Sequence, residues 1–117
     1  MQSVLIVDES TEAREVLKTA LLRRGVQIFE ASRTEQGVAL ARQYHPDVIV
    51  VDLEAQTSDA QHVSDDFAAA SPLHPASLVL LGTARRLAGA TSPGGEFISK
   101  PYHYAPLIRK IESLLAG

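Results

Sequence analysis

Three short, unbroken apolar runs constrain the chain most: Val4-Leu5-Ile6-Val7, Val48-Ile49-Val50-Val51 and Leu78-Val79-Leu80-Leu81. Runs of this length, rich in branched side chains and without polar alternation, read as strands buried on both faces of a parallel sheet. Two weaker strands fall at 26–31 and 96–99. The segments between them carry helical spacing. Ser10 or Thr11 can N-cap a first helix, with Glu12 in its first turn. Val16, Leu17, Ala20 and Leu21 form its apolar stripe, and Gly25 stops it. Ser32-Arg33-Thr34-Glu35 fits a capping box for a second helix, with Val38, Ala39, Leu40 and Ala41 as its inward candidates and Pro46 as its end. A weak third helix is expected over 61–70, and at most a short fourth over 84–90. Leu107, Ile108, Ile111, Leu114 and Leu115 mark a strong closing helix, with Pro106 tolerable in its first turn.

Strands alternating with helices imply an α/β fold with helices on both faces of a parallel sheet. Right-handed crossovers then favour a three-layer, doubly wound, five-stranded sheet in the order 2-1-3-4-5, the flavodoxin-like arrangement. At 117 residues the chain is expected to form a single domain over 1–117. A net charge of −3 argues against direct nucleic-acid binding, which wants a concentrated basic face. There is no cysteine, so disulfides, thiolate metal sites and a cysteine nucleophile are excluded. The start, MQSVLIVDES, lacks the basic segment of a signal peptide, and no apolar run approaches the length of a membrane span.

Ligands of this fold class bind beyond the carboxyl ends of the strands, at the switch between strands 1 and 3. Strand 1 ends at Asp8-Glu9, strand 3 at Asp52, strand 4 at Thr83 and strand 5 at Lys100-Pro101. Carboxylates gathered on one edge repel: at ~4 Å two charges cost about 4 kcal/mol with an effective dielectric near 20. A divalent cation removes that cost, and an oxygen-only donor set selects a hard ion, Mg²⁺ above all. The expected ligands are Asp8, Glu9, Asp52 and the backbone carbonyl of Glu54. An Asp beside Mg²⁺, a hydroxyl and a lysine also suits phosphoryl transfer, with Asp52 as nucleophile and Thr83 and Lys100 on the phosphoryl oxygens.

These residues carry a family resemblance. LIVDE at 5–9, PDVIVVDL at 46–53, LLGTA at 80–84 and FISKPY at 97–102, in that order, resemble the receiver domain of two-component response regulators, the chemotaxis regulators among them. The resemblance covers essentially the whole chain. It implies Mg²⁺ on Asp8 and Glu9, phosphorylation of Asp52, contact of Thr83 and Lys100 with the phosphoryl group, and Phe97 as an aromatic switch residue. It also implies a cytoplasmic protein that catalyses its own phosphorylation and dephosphorylation. The phosphodonor would be a sensor histidine kinase or a histidine phosphotransfer protein. The signal would pass to a downstream protein or a fused output domain, and a weak homodimer is compatible with the family.

The sequence departs from the family in two places. The loop after Asp52, usually Met-Pro-x-Met-Asp-Gly, reads Ala55-Gln56-Thr57-Ser58-Asp59-Ala60, which predicts a more mobile loop and a weaker third helix. The segment from Thr83 to Lys100 is short, and Pro93-Gly94 replaces the usual Gly-Ala pair, which predicts a short or irregular fourth helix. These departures motivate one alternative: a degenerate receiver that serves as a phosphorylation-independent protein-interaction module. A small phosphatase using Asp52 is a second, without an evident partner acid or base.

Overall fold

A computed structural model describes residues 1–55, 59–88 and 95–117. Five strands, β1 Ser3–Val7, β2 Gln27–Ala31, β3 Val48–Asp52, β4 Ser77–Gly82 and β5 Glu96–Ser99, form one parallel sheet in the order β2-β1-β3-β4-β5. The helices are α1 Thr11–Leu22, α2 Thr34–Tyr44, α3 Ala60–Ala70, α4 Ala84–Leu87 and α5 Tyr104–Ala116, with a 3-10 turn at Leu53–Ala55. The expected three-layer, flavodoxin-like architecture is therefore the observed one. Every residue of β1 and β3 is buried, as their unbroken apolar runs require, while the edge strands β2 and β5 are partly exposed.

Alternate strand residues feed two cores, because successive side chains of a strand point to opposite faces. On one face Val4, Ile6, Val48, Val50, Val79 and Leu81 meet Leu17 and Leu21 of α1 and Leu107 and Ile111 of α5. On the other, Leu5, Val7, Ile49, Val51, Leu78 and Leu80 meet Ala41 of α2 and Val63, Phe67 and Ala70 of α3.

The caps follow local chemistry in part. Of the two candidates Ser10 caps α1, its hydroxyl accepting from the Ala13 N–H at 3.2 Å. The buried stripe of α1 is Ala13, Leu17 and Leu21; Val16 stands 36% exposed, because i, i+4, i+8 spacing places it off the stripe. The capping box at 32–35 does not form. Arg33 is the N-cap without a side-chain bond, and Ser32 donates its N–H and hydroxyl to the Gln36 side chain instead. Burial of Thr34, Gly37 and Ala41 sets the register of α2 and leaves Ala39 exposed, with Val38 and Leu40 packing at the margin of the core. Helix α2 closes at His45, in the left-handed region at φ 49°, where Nδ1 meets the Ser71 hydroxyl at 2.6 Å and the hydroxyl donates to the Ala41 carbonyl at 3.3 Å. Thus the end of α2 is tied to the end of α3.

Helix α3 is a full eleven-residue helix that buries five of its side chains. The Asp that remains from the family's loop accounts for its start: the Asp59 carboxylate accepts from the His62 N–H at 2.8 Å as an N-cap. The altered loop at 56–58 and the Pro93-Gly94 turn lie outside the described residues. Helix α4 is a single turn with no buried residue, as its shortened segment predicts.

Gly37 lets α2 approach the sheet. A Cβ there would lie 2.6 Å from Val7 Cγ2 and 3.3 Å from the Phe67 ring. Val7 is fully buried and stiff at χ1, so it yields poorly. Gly37→Ala is expected to destabilise by about 1–2 kcal/mol in urea melts, because overpacking outweighs a helix-propensity gain of about 1 kcal/mol.

Candidate functional site

The parallel register builds the site. Val7 pairs with Val51, so the next residues, Asp8 and Asp52, emerge side by side at the carboxyl edge. Gly82 pairs with Ser99, which brings Thr83 and Lys100 out on the neighbouring strands, and the Lys100 N–H donates to the Gly82 carbonyl at 2.8 Å. Both acids are buried, Asp8 to 3% and Asp52 to 8% exposure. Each carboxylate accepts a backbone N–H two residues on: Asp8 from Ser10 at 2.8 Å and Asp52 from Glu54 at 2.9 Å. These turns fix both side chains over the edge. Lys100 Nζ lies 2.7 Å from each Asp52 oxygen, so one ammonium faces the whole carboxylate.

The charge of this arrangement is unevenly offset. Burial raises the Asp8 pKa above the ordinary carboxylate value; the Ser10 N–H pulls it down, and the charge of Asp52, which also shares a side-chain hydrogen bond with it, pushes it up again. Lys100 lowers it by a smaller amount. The carboxyl pair therefore retains a preference for positive charge. With oxygen donors alone on offer, the pair fits a hard divalent cation.

Thr83 is exposed and N-caps α4, its hydroxyl accepting from the Arg86 N–H at 3.3 Å. Arg86 in turn donates to the Leu53 carbonyl at 2.7 Å, which links the loop after β4 to the turn after Asp52. Glu9 is exposed and does not line the cleft that holds the other residues. Among the described residues no set of three Asp, Glu, His or Cys side chains converges as a metal site, so the expected three-carboxylate cluster narrows to the Asp8–Asp52 pair. The Glu54 side chain is exposed and its N–H is spent on Asp52. Phe97 is 38% exposed on β5, apart from the acids.

The cleft measures about 530 Å³ and is lined by Asp8, Asp52, Thr83 and Lys100, with Ser10, Ala13, Pro101, Tyr102 and Tyr104. The roles of three further residues were not readable from the sequence. Arg14 donates to the Asp8 carbonyl and pairs with Glu30 at 3.3 Å, holding the end of β1 against the edge strand. Tyr102 and Tyr104 wall the cleft beside Lys100. The motif FISKPY contains Tyr102, but nothing in its spacing announced a wall; the signal for Arg14 was its position as the fourth residue of a helix that starts at the acidic strand end.

The chain is similar to known proteins along nearly its whole length. Residues 4–112 match the family model described as the response regulator receiver domain. The chain is 30% identical over 118 residues to the probable transcriptional regulatory protein TcrX of Mycobacterium tuberculosis, covering 97% of this chain and 49% of that protein. It is 29% identical to the protein PilH of Pseudomonas aeruginosa, with both chains covered over their full length. It thus spans about half the length of the transcriptional regulators it matches and all of PilH. A two-component response regulator from Clostridium difficile superposes with a TM-score of 0.81 at 18% identity, covering 99% of this chain and 97% of that one, which shows a shared fold.

Because its charge is penalised by burial and by Asp52, ionised Asp8 costs folding stability. The folded pKa lies above the unfolded one, so the cost is absent below the unfolded value near 3.8, grows as pH rises through the window between the two, and is complete above it. In EDTA, Asp8→Asn is expected to stabilise the protein at pH 7 by on the order of 1 kcal/mol. Chemical denaturation at a series of pH values should show the gain shrink toward pH 4.

Proposed function

The chain belongs to the response regulator receiver domain family, and we propose on that premise that it accepts a phosphoryl group on Asp52 from a phosphohistidine. The donor is a sensor histidine kinase or a histidine phosphotransfer protein, and the phosphorylated form changes its affinity for a downstream partner or output domain. The observation that supports this reading most is the Asp52 carboxylate, buried beside Asp8 and held by Lys100 at 2.7 Å on both oxygens. On this reading Asp52 is the nucleophile, and a cation and Lys100 would both meet the incoming oxygens.

Asp8, Asp52 and the Glu54 carbonyl are the residues that would hold Mg²⁺, with Glu9 as a further ligand or as an acid that draws the cation in. Bound there, Mg²⁺ supplies positive charge to the phosphoryl oxygens in the transition state. Asp52 attacks phosphorus with one oxygen. Lys100 releases that oxygen and turns to the phosphoryl group, and the Thr83 hydroxyl leaves the Arg86 N–H to donate to another phosphoryl oxygen. Asp8 would serve as a carboxylate ligand that holds the cation beside Asp52. Thr83 and Phe97 then act as switch residues. The reading places the protein in the cytoplasm; among the described residues no helix is long and apolar enough to cross a membrane.

The degenerate alternative has little to recommend it: Asp8, Asp52, Thr83 and Lys100 all line one cleft. A module indifferent to phosphate would have no use for two buried acids that disfavour each other's charge.

The test combines Mg²⁺ and a small phosphodonor with mass detection. Wild type is expected to gain one base- and hydroxylamine-labile phosphoryl group only when Mg²⁺ is present, and Asp52→Asn to gain none; labelling that persists in Asp52→Asn sinks the assignment. Mg²⁺ alone should raise the melting temperature at pH 7. At a hundredfold excess over its Kd the stabilisation is about 2.7 kcal/mol, and it should be largely lost in Asp8→Asn.

A further inference from the structure

The cleft is lined by two chemically different sets of side chains. Asp8, Asp52, Thr83 and Lys100 make the polar set, and Ala13, Pro101, Tyr102 and Tyr104 an apolar and aromatic one. Nothing in phosphoryl transfer to Asp52 requires the second. Tyr102 is anchored: its ring packs on the core that contains Leu107 and Ile111. Tyr102 lines the same cleft as Asp8 and Asp52, and burial drives its phenol pKa well up, with Tyr104 and then the two acids adding to the rise. Tyr104, the first residue of α5, stands edge-on to Tyr102 with centroids 5.8 Å apart and planes at 86°. Its own ring is 36% exposed and borders the cleft, so one face is braced while the residue remains accessible.

We propose that Tyr104, braced by Tyr102, forms a leaving-group subsite that takes the planar imidazole ring of the phosphodonor. The inference rests on the phosphoacceptor reading of Asp52 and names the part of the donor that the aromatic side chains recognise. An aromatic face attracts a flat or cationic ring, and a phosphoimidazolium is both. In the step itself an Asp52 oxygen attacks phosphorus, the P–N bond breaks, and its electron pair returns to the ring nitrogen. With the other ring nitrogen already protonated, the leaving group departs as neutral imidazole and needs no further proton. Tyr104 is therefore a specificity residue of the transfer. Its contact is with the departing ring, and the phosphoryl group is left to the acids, Thr83 and Lys100.

The experiment compares two small donors that break the same P–N bond. Monophosphoimidazole carries the ring; phosphoramidate does not. Rates of Asp52 phosphorylation with Mg²⁺ are measured for wild type, Tyr104→Ala, Tyr104→Leu and Tyr104→Phe. The ratio of the two rates on one protein cancels any loss of folded fraction. Tyr104→Ala and Tyr104→Leu are expected to lower the ratio about tenfold, equivalent to about 1.4 kcal/mol, while Tyr104→Phe keeps it near the wild-type value. A ratio unchanged in Tyr104→Ala, or a drop that is equal for both donors, overturns the subsite. Failure of both donors to label wild-type Asp52 instead overturns the phosphoacceptor reading beneath it.

Discussion

Two buried carboxyl groups sit side by side because parallel register leaves them no alternative. Val7 pairs with Val51, and the chain continues into Asp8 on one strand and Asp52 on the next. Lys100 is drawn onto Asp52 by this charge, and the position of Lys100 in turn depends on the Gly82 carbonyl at the end of β4. Three strands are thus tied together at the carboxyl edge by one electrostatic demand. A pair of this kind is a poor way to make a stable fold, since burial disfavours the charge of Asp8 and Asp52 adds to the penalty. It is a good way to make a site that responds to added charge. The surrounding packing supplies the stability that the acids cost: β1 and β3 are buried throughout and both helical layers close over them.

The fold was largely legible because unbroken apolar runs leave few options. Strands such as 48–51 can be buried only on both faces, and alternation with helices then dictates the parallel sheet. What the sequence misread was local. The pattern Ser32-Arg33-Thr34-Glu35 has the right residues for a capping box, yet burial of Thr34, Gly37 and Ala41 determines where α2 starts. Tertiary packing overrides a cap whose worth is about 1 kcal/mol. Likewise Val16 belongs to a helical apolar pattern but lies beside the buried stripe. The third helix looked weak for want of a Pro and a Gly, while Asp59 alone supplies the cap it needs.

Of the site, the strand-end residues were legible because topology converts sequence position into location. Asp8, Asp52, Thr83 and Lys100 line one cleft as that logic requires. Glu9 illustrates its limit. Adjacent residues at a strand end point in different directions, and once the Asp8 side chain turns back to the Ser10 N–H, Glu9 is left outward. Arg14, Tyr102 and Tyr104 escaped because their roles arise from tertiary packing against the edge, which no local pattern encodes. The aromatic wall in particular draws on Ala13 of α1, on Pro101 and Tyr102 after β5 and on the first residue of α5.

The single-turn fourth helix bears on how a change at Asp52 would be read out. A clipped helix suggests at first that the readout has been lost. The contacts suggest instead that its rearrangement is inexpensive. Helix α4 buries no residue fully, and its apolar hold on the core is the partly buried Leu87. Two of its attachments are the Thr83 hydroxyl on the Arg86 N–H and the Arg86 guanidinium on the Leu53 carbonyl. Moving Thr83 toward Asp52 gives up a cap worth about 1 kcal/mol, which a charge-assisted bond to a phosphoryl oxygen more than offsets. Arg86 spans from that cap to the residue after Asp52, so movement at either end is felt at the other. A longer, buried helix would add apolar contacts that the same phosphoryl group would have to break. On the proposed reading, with only partial apolar burial among the described residues of α4, a shift of Thr83 would depend largely on the charge at Asp52, which is the condition for a ligand to shift a two-state equilibrium.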